Sequence, residues 1–126
     1  RVTLAGRVSR TDLHAWYEAA DLFVHPTLYE GSSLVTLEAM THRRAVVATT
    51  AGGLPDKVRP GETGWLVAPG ETEPLAAAIE EALSRRDALP ALGTAGRRLV
   101  EAEFSWTAVA RETVALYAGL LGRGGQ

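Results

Sequence analysis

Residues 25–40 read HPTLYEGSSLVTLEAM, a stretch in which Glu30 and Glu38 stand eight positions apart in otherwise apolar surroundings. Pro26 stops the short apolar run Leu22 to His25, which reads as a strand. Gly31 permits a tight turn, and Ser32 and Ser33 suit the entry of a helix running to about His42. In an open parallel sheet, a strand, a glycine turn and a helix start form a place for phosphate. The first-turn amides are unpaired there and the helix dipole favours an anion. Glu38 lies inside that helix with Leu34, Val35, Thr41 and His42 as its neighbours at three and four positions. A carboxylate on so apolar a face costs several kcal/mol unless it meets a donor. Helical side chains lean toward the N-terminus, so Glu38 points back at the phosphate position, roughly 7 to 8 Å from Ser33. That is close to the reach from a diphosphate to a ribose, and a carboxylate accepting two hydroxyls is a natural ribose reader. Glu30 lies on the other side of the phosphate position. Taken alone, the two acids also fit a plainer reading, a loop carboxylate and a half-exposed helix residue.

Outward from this stretch, short apolar runs alternate with helical periods. Residues 2–5, VTLA, end at Gly6 and predict a strand. Thr11 is the expected cap of a helix that buries Leu13, Trp16, Tyr17 and Ala20. AVVAT at 45–49 and GWLVA at 64–68 predict two more strands. None of these runs alternates in polarity, which fits a sheet covered on both faces. Strand, helix, strand, helix in that order gives an α/β fold, a Rossmann-like doubly wound parallel sheet. Residues 72–122 read as helix throughout. Thr72 is the expected cap, with Pro74 in the first turn and Leu75, Ile79, Ala82 and Leu83 on one face. Glu81 and Arg85 add an i,i+4 pair worth about 0.2 to 0.5 kcal/mol. Leu89, Leu92, Leu99 and Val100 mark a second helix, weakened by Gly93 and Gly96. Ser105 caps a third, with a stripe of Trp106, Val109, Thr113, Leu116, Tyr117 and Leu120. The expected division is a β/α part over 1–71 and a helical part over 72–122, together one partial domain spanning 1–126.

Composition limits the possibilities. The 126 residues are 46% apolar and 22% charged, with 15 acids against 13 bases. These values suit a soluble globular domain and argue against a disordered chain or a polybasic nucleic-acid arm. No apolar window is long enough for a membrane span and the start lacks a signal pattern, so a cytoplasmic location is expected, with the cytoplasmic face of a membrane open. Without cysteine, a disulfide framework, a thiolate nucleophile and a Cys-based zinc site are excluded. His14, His25 and His42 have no paired metal-ligand spacing.

Three segments together, ADLFVHPTLYEGSSLVTLEAM, AVVATTAGGLPDKV and GETGWLVAPGETEPLAAAIEEAL, resemble the nucleotide-sugar-binding C-terminal domain of family 4 retaining glycosyltransferases of the GT-B fold. The resemblance runs from about Val2 to Tyr117. It implies that Glu38 holds the ribose hydroxyls of the donor nucleotide. It likewise implies that Glu30 binds hydroxyls of the transferred sugar and steadies charge at the reacting carbon. Gly31 and the amides of Ser32, Ser33 and Leu34 would receive the diphosphate. Gly52 and Gly53 would let the backbone pass close to the ligand, with His25 as a supporting residue that faces the cleft. No cofactor and no metal are implied, since the helix end and basic side chains stabilise the departing diphosphate. The partners implied are a nucleotide sugar and an acceptor glycan, lipid or small molecule held by a separate N-terminal domain. Transfer would retain configuration through front-face attack by the acceptor hydroxyl. The same fold without catalysis, as a nucleotide-sugar-binding or protein-interaction module, is the alternative.

The departures from that family's pattern are informative. Ser32 and Ser33 stand where an aromatic and a glycine are common, leaving the hydroxyls open to phosphate. Thr41, Arg43 and Ala45 replace a small residue, a glycine and a proline at the turn into the next strand, a local cost away from the ligand. Asp56 stands for a glutamate. The start inside an apolar run and the GRGGQ end suggest a piece of a longer chain lacking the family's diphosphate-binding arginine and lysine. In the usual strand order 3-2-1-4-5-6, residues 2–5 would be the third strand, two places from residues 22–25. The incomplete sheet would then expose an edge open to self-association. Among lesser residues, Trp16, Trp65 and Trp106 are expected in the core, Lys57 and Arg59 as solvated charges with contact to a phosphate as the alternative, and His14 and His42 at the surface or a helix end.

Overall fold

The structure, a computed structural model, describes residues 1–123. Its centre is a parallel sheet of three strands, β1 (Leu22–His25), β2 (Ala45–Thr49) and β3 (Gly64–Val67), in the order β1-β2-β3. Every residue of the middle strand is buried, which explains the unbroken apolar run AVVAT: a central strand of a covered parallel sheet has no wet face. Its side chains still alternate. Ala45 and Val47 pack with Val24, Trp65, Ala78, Ala82 and Leu89 on one side, whereas Val46 and Ala48 pack with Met40, Leu54, Val58 and Leu99 on the other. The register aligns His25, Ala48 and Leu66 in one row and Val24, Val47 and Trp65 in the next.

The helices are α1 (Arg10–Ala19), α2 (Leu34–Thr41), α3 (Thr72–Ser84), α4 (Leu89–Leu99) and α5 (Trp106–Arg123). Between the last two lies a π-helical turn over Val100–Phe104. Helix α2 supplies Met40 to the second cluster and α3 supplies Ala78 and Ala82 to the first; α4 reaches both, with Leu89 and Leu99. Gly93 and Gly96, read from the sequence as weak points, are buried contact points of α4. A Cβ on Gly93 would lie 1.9 Å from the Arg43 carbonyl oxygen, and one on Gly96 would meet Met40 at 3.3 Å. The expected local cost at Arg43 takes the form of a left-handed backbone, φ 57°, in a non-glycine residue at the turn from α2 into β2.

Several expectations are corrected. Residues 2–5 form no strand; Val2 and Leu4 are exposed. A strand exists only through its ladder, and the described chain offers no strands to lie between VTLA and β1. Helix α1 is capped by Ser9 and not by Thr11. The Ser9 hydroxyl accepts from the Asp12 N–H at 3.1 Å and donates to the Asp12 carboxylate at 2.7 Å. Thr72 is the first residue of α3 and not its cap, and no side chain caps that helix. Pro74, at the third helical position, has no N–H for a cap to satisfy. Trp65 packs in the core as expected. Trp16 is 54% and Trp106 90% exposed, because α1 turns the adjacent Tyr17 inward instead and α5 meets the rest of the chain at its first turn. Ala108 is the buried residue of that turn, and the stripe of Leu116, Tyr117 and Leu120 is uncovered. No helix among the described residues is long and apolar enough to cross a membrane.

Candidate functional site

All three strands point their C-terminal ends the same way, and the segment from His25 to Ser33 loops over that edge into α2. Ser33 caps α2: its hydroxyl accepts from the Thr36 N–H at 3.3 Å and pairs with the Thr36 hydroxyl at 2.8 Å, both residues buried. The Ser33 side chain is therefore occupied within the protein, whereas Ser32 is exposed. The N–H groups of Ser32, Ser33 and Leu34 donate to no backbone carbonyl among the described residues, as the first donors of a helix must.

Glu30 and Glu38 are each held by one aromatic side chain. His25 Nε2 lies 3.0 Å from Glu30 Oε2, with both side chains about one fifth exposed. This hydrogen bond, above all, holds the Glu30 carboxyl below the ordinary 4.5, against the opposing effect of burial; the Ser33 hydroxyl and the Gly31 N–H add to it. Glu38 meets the donor that its apolar face demands in Tyr17 of α1, whose hydroxyl donates to Glu38 Oε2 at 3.2 Å. The same hydroxyl lies 3.5 Å from the Val35 carbonyl oxygen, one turn earlier in α2, so the Glu38 carboxylate does lean back toward the helix start. Tyr17 is buried, and burial first, then the Glu38 charge and the hydrogen bond, push its pKa up to about 12. Its ring stacks on His42 at 5.4 Å and meets the Phe23 ring edge-on at 5.8 Å; Phe23 in turn stacks on His25 at 6.0 Å. His42 caps the end of α2 as expected, half-buried against His14, with ring nitrogens 2.9 Å apart.

The Gly52–Gly53 loop closes the site from β2. Gly52 has φ 51°, and a Cβ there would lie 1.5 Å from the Glu30 carbonyl oxygen. The Gly53 N–H donates to the Gly31 carbonyl at 3.3 Å. The close approach that these glycines permit is thus to the chain's own Glu30–Gly31 turn, which they press into place. Lys57 corrects the expectation of a solvated charge: it is 4% exposed, donates to the Gly53 carbonyl at 3.2 Å and lies over the Phe104 ring at 5.5 Å. Arg59 is ion-paired with Glu103 at 2.8 Å and Glu62 at 3.8 Å. No group of three His, Asp or Glu side chains among the described residues is arranged to hold a metal ion.

The structure therefore brings His25, Glu30, Gly31, Ser33, Gly52 and Gly53 together where two turns meet, with Ser32 and Leu34 at the exposed start of α2 and Glu38 one turn inside that helix. Tyr17 and Phe23 escaped sequence reasoning as site residues, since each is an ordinary core-type residue until α1 and β1 are packed together, and Lys57 reads as a surface cation until the π turn brings Phe104 against it.

The chain is 39% identical over 117 residues to the MMP alpha-(1->4)-mannosyltransferase of Mycolicibacterium hassiacum, a match covering 92% of this chain and 28% of that protein. It superposes on sucrose-phosphate synthase from Thermosynechococcus elongatus with a TM-score of 0.84 and 39% identity, covering 98% of this chain and 31% of the other. It also superposes on Anabaena HepE in complex with UDP, with a TM-score of 0.78 and 25% identity, covering 87% of this chain and 30% of that one; HepE is similarly matched in its complex with UDP-glucose. The chain thus spans under one third of the length of each of these proteins. Residues 1–85 match the family described as glycosyl transferases group 1. With three parallel strands, flanking helices and an incomplete Rossmann-like sheet shared with GT-B enzymes, the chain belongs to that glycosyltransferase family.

Proposed function

We propose that this chain is the donor-binding part of a retaining glycosyltransferase of family 4, one that moves a sugar from a nucleoside-diphosphate sugar to an acceptor hydroxyl. The observation that carries the reading is the placement of two carboxylates on either side of a helix start whose first N–H groups are unpaired. Glu38 accepts the ribose hydroxyls, and the amides of Ser32, Ser33 and Leu34, after Gly31, take the diphosphate. Glu30 accepts from hydroxyls of the transferred sugar and opposes the positive charge that develops at its anomeric carbon. An ionised Glu30 suits that task, and its hydrogen bond from His25 favours the ionised form. UDP and UDP-glucose in the HepE structures support a nucleotide-sugar ligand. No metal takes part in this scheme, the acceptor is held by another domain, and the reaction belongs in the cytoplasm.

Binding without catalysis is a second reading, favoured by one observation. The basic residues after the Gly-Gly loop are committed elsewhere, Lys57 beneath the loop and Arg59 to two glutamates. Calorimetric titration with UDP, GDP and their glucose and mannose conjugates tests the site in either case. Saturable binding that weakens about tenfold or more in Glu38→Ala is expected, because a hydrogen bond to a charged group is lost in a partly buried place. Equal binding by the two chains would refute the assignment of the ribose. Sugar transfer by a longer polypeptide containing this chain, abolished in Glu30→Gln, would separate enzyme from binding module.

A further inference from the structure

We propose that Tyr17 is a positioning residue, whose hydroxyl fixes the Glu38 carboxylate in the one orientation that presents its other oxygen to the nucleotide ribose. The inference rests on the reading of Glu38 given above. A glutamate on a helix surface turns about three side-chain torsions, and each arrangement aims the carboxylate elsewhere. Here Oε2 is anchored at 3.2 Å by the Tyr17 hydroxyl. A carboxylate accepts about four hydrogen bonds, and among the described residues no side chain donates to Oε1, which leaves it for the two hydroxyls of a ribose.

The anchor is itself rigid. Tyr17 is 5% exposed, its ring is stacked on His42 from α2 and packed edge-on against Phe23 from β1, and its hydroxyl also reaches the Val35 carbonyl. Burial and the neighbouring charge keep its proton in place across the neutral range, so it acts as a donor throughout. The arrangement is matched on the other side of Phe23, where the His25 ring stacks and donates to Glu30. Three rings packed in the order Tyr17, Phe23, His25 thus carry the two donors, and the spacing of the donors sets the spacing of the two carboxylates. A tyrosine that merely filled the core would need some acceptor for its hydroxyl. It would have no reason to choose the carboxylate of a ligand-reading residue, which can be tested directly.

The test compares wild type, Tyr17→Phe, Glu38→Ala and the double variant in calorimetric titrations of UDP and of 2′,3′-dideoxy-UDP, with the guanosine pair run in parallel. Melting curves of each variant accompany the titrations. Tyr17→Phe is expected to weaken ribonucleotide binding on the order of tenfold, the scale of one hydrogen bond to a charged acceptor, and to leave dideoxynucleotide binding within about twofold. In the Glu38→Ala background, Tyr17→Phe is expected to add nothing further, because the hydroxyl acts through the carboxylate. A wild-type preference for ribose that survives in Tyr17→Phe overturns the proposal while leaving Glu38 in its role. An additive loss in the double variant also overturns it and confines Tyr17 to the fold. Absent binding, or no ribose preference in wild type, defeats the reading of Glu38 and the proposal with it. If Tyr17→Phe fails to fold cooperatively, Tyr17→Met removes the hydroxyl with a side chain that adapts to the same space, and its ratio of ribose to dideoxy affinity is read in the same way.

Discussion

Gly52 and Gly31 lie in the two turns that meet at the site, yet alanine should affect them very differently. At Gly52 the backbone is left-handed and a Cβ would sit 1.5 Å from the Glu30 carbonyl oxygen, half of the 3.0 Å that real Cβ atoms keep. The Glu30–Gly31 turn would have to retreat by about 1.5 Å to relieve that overlap. Alanine in the left-handed region costs about 1 to 2 kcal/mol. Losing the Gly53–Gly31 hydrogen bond costs about 1 kcal/mol, and forced repacking about 1 kcal/mol or more. We therefore expect Gly52→Ala to destabilise the chain by about 3 to 5 kcal/mol, lowering the melting temperature by roughly 10 °C or more. At Gly31 a Cβ would meet nothing within 4 Å and the backbone is not left-handed, so Gly31→Ala should change stability by less than about 0.5 kcal/mol. Urea titrations followed by circular dichroism, with melting curves, measure both. A Gly52→Ala chain that unfolds at the wild-type midpoint would show that the Gly-Gly loop does not press on the turn, and the account of how Glu30 is placed would fall with it.

Two further outcomes are expected. Arg43→Gly should raise stability by about 0.5 to 1 kcal/mol, since relief of a left-handed residue exceeds the added freedom of glycine in the unfolded chain; thermal melting reads this, and an unchanged or lower midpoint counts against strain at φ 57°. His25→Ala should return the Glu30 titration upward toward 4.5, as followed by the NMR shift of its carboxyl carbon, because the His25 hydrogen bond is the largest cause of the depression. The sign follows from a folded value below the unfolded one: the contact stabilises the fold above the ordinary carboxylate range and is lost as pH falls through the lower folded value. The stability gap between wild type and His25→Ala should accordingly narrow with acidification across that window.

The site is built by local rules that meet at one edge of the sheet. Short-range signals set the strand end, the turn and the Ser33 cap, and together these leave unpaired amides at a predictable place. What holds the carboxylates there is long-range. Tyr17 reaches Glu38 across 21 positions and Gly52 presses on Glu30 across 22. The Glu30–His25 contact spans only five, but His25 is held in the sheet by its ladder to Ala48.

By itself the sequence determined the parallel α/β class, the strands 22–25, 45–49 and, to within one residue, 64–68, and the helix entered at Ser33. Each of those depends on period, on β-branched runs or on a local cap, and such signals are complete within a few residues. It also marked Glu38 as a carboxylate in want of a donor, because solvation cost attaches to the residue wherever it is buried. Tertiary structure alone decided who the donor was, since nothing about Tyr17 distinguishes it from Trp16 until α1 is laid against α2. It also decided that Lys57 is buried and Trp106 exposed, and that residues 2–5 are no strand. Burial and β-pairing are properties of a residue's neighbours, and those neighbours come from distant parts of the chain.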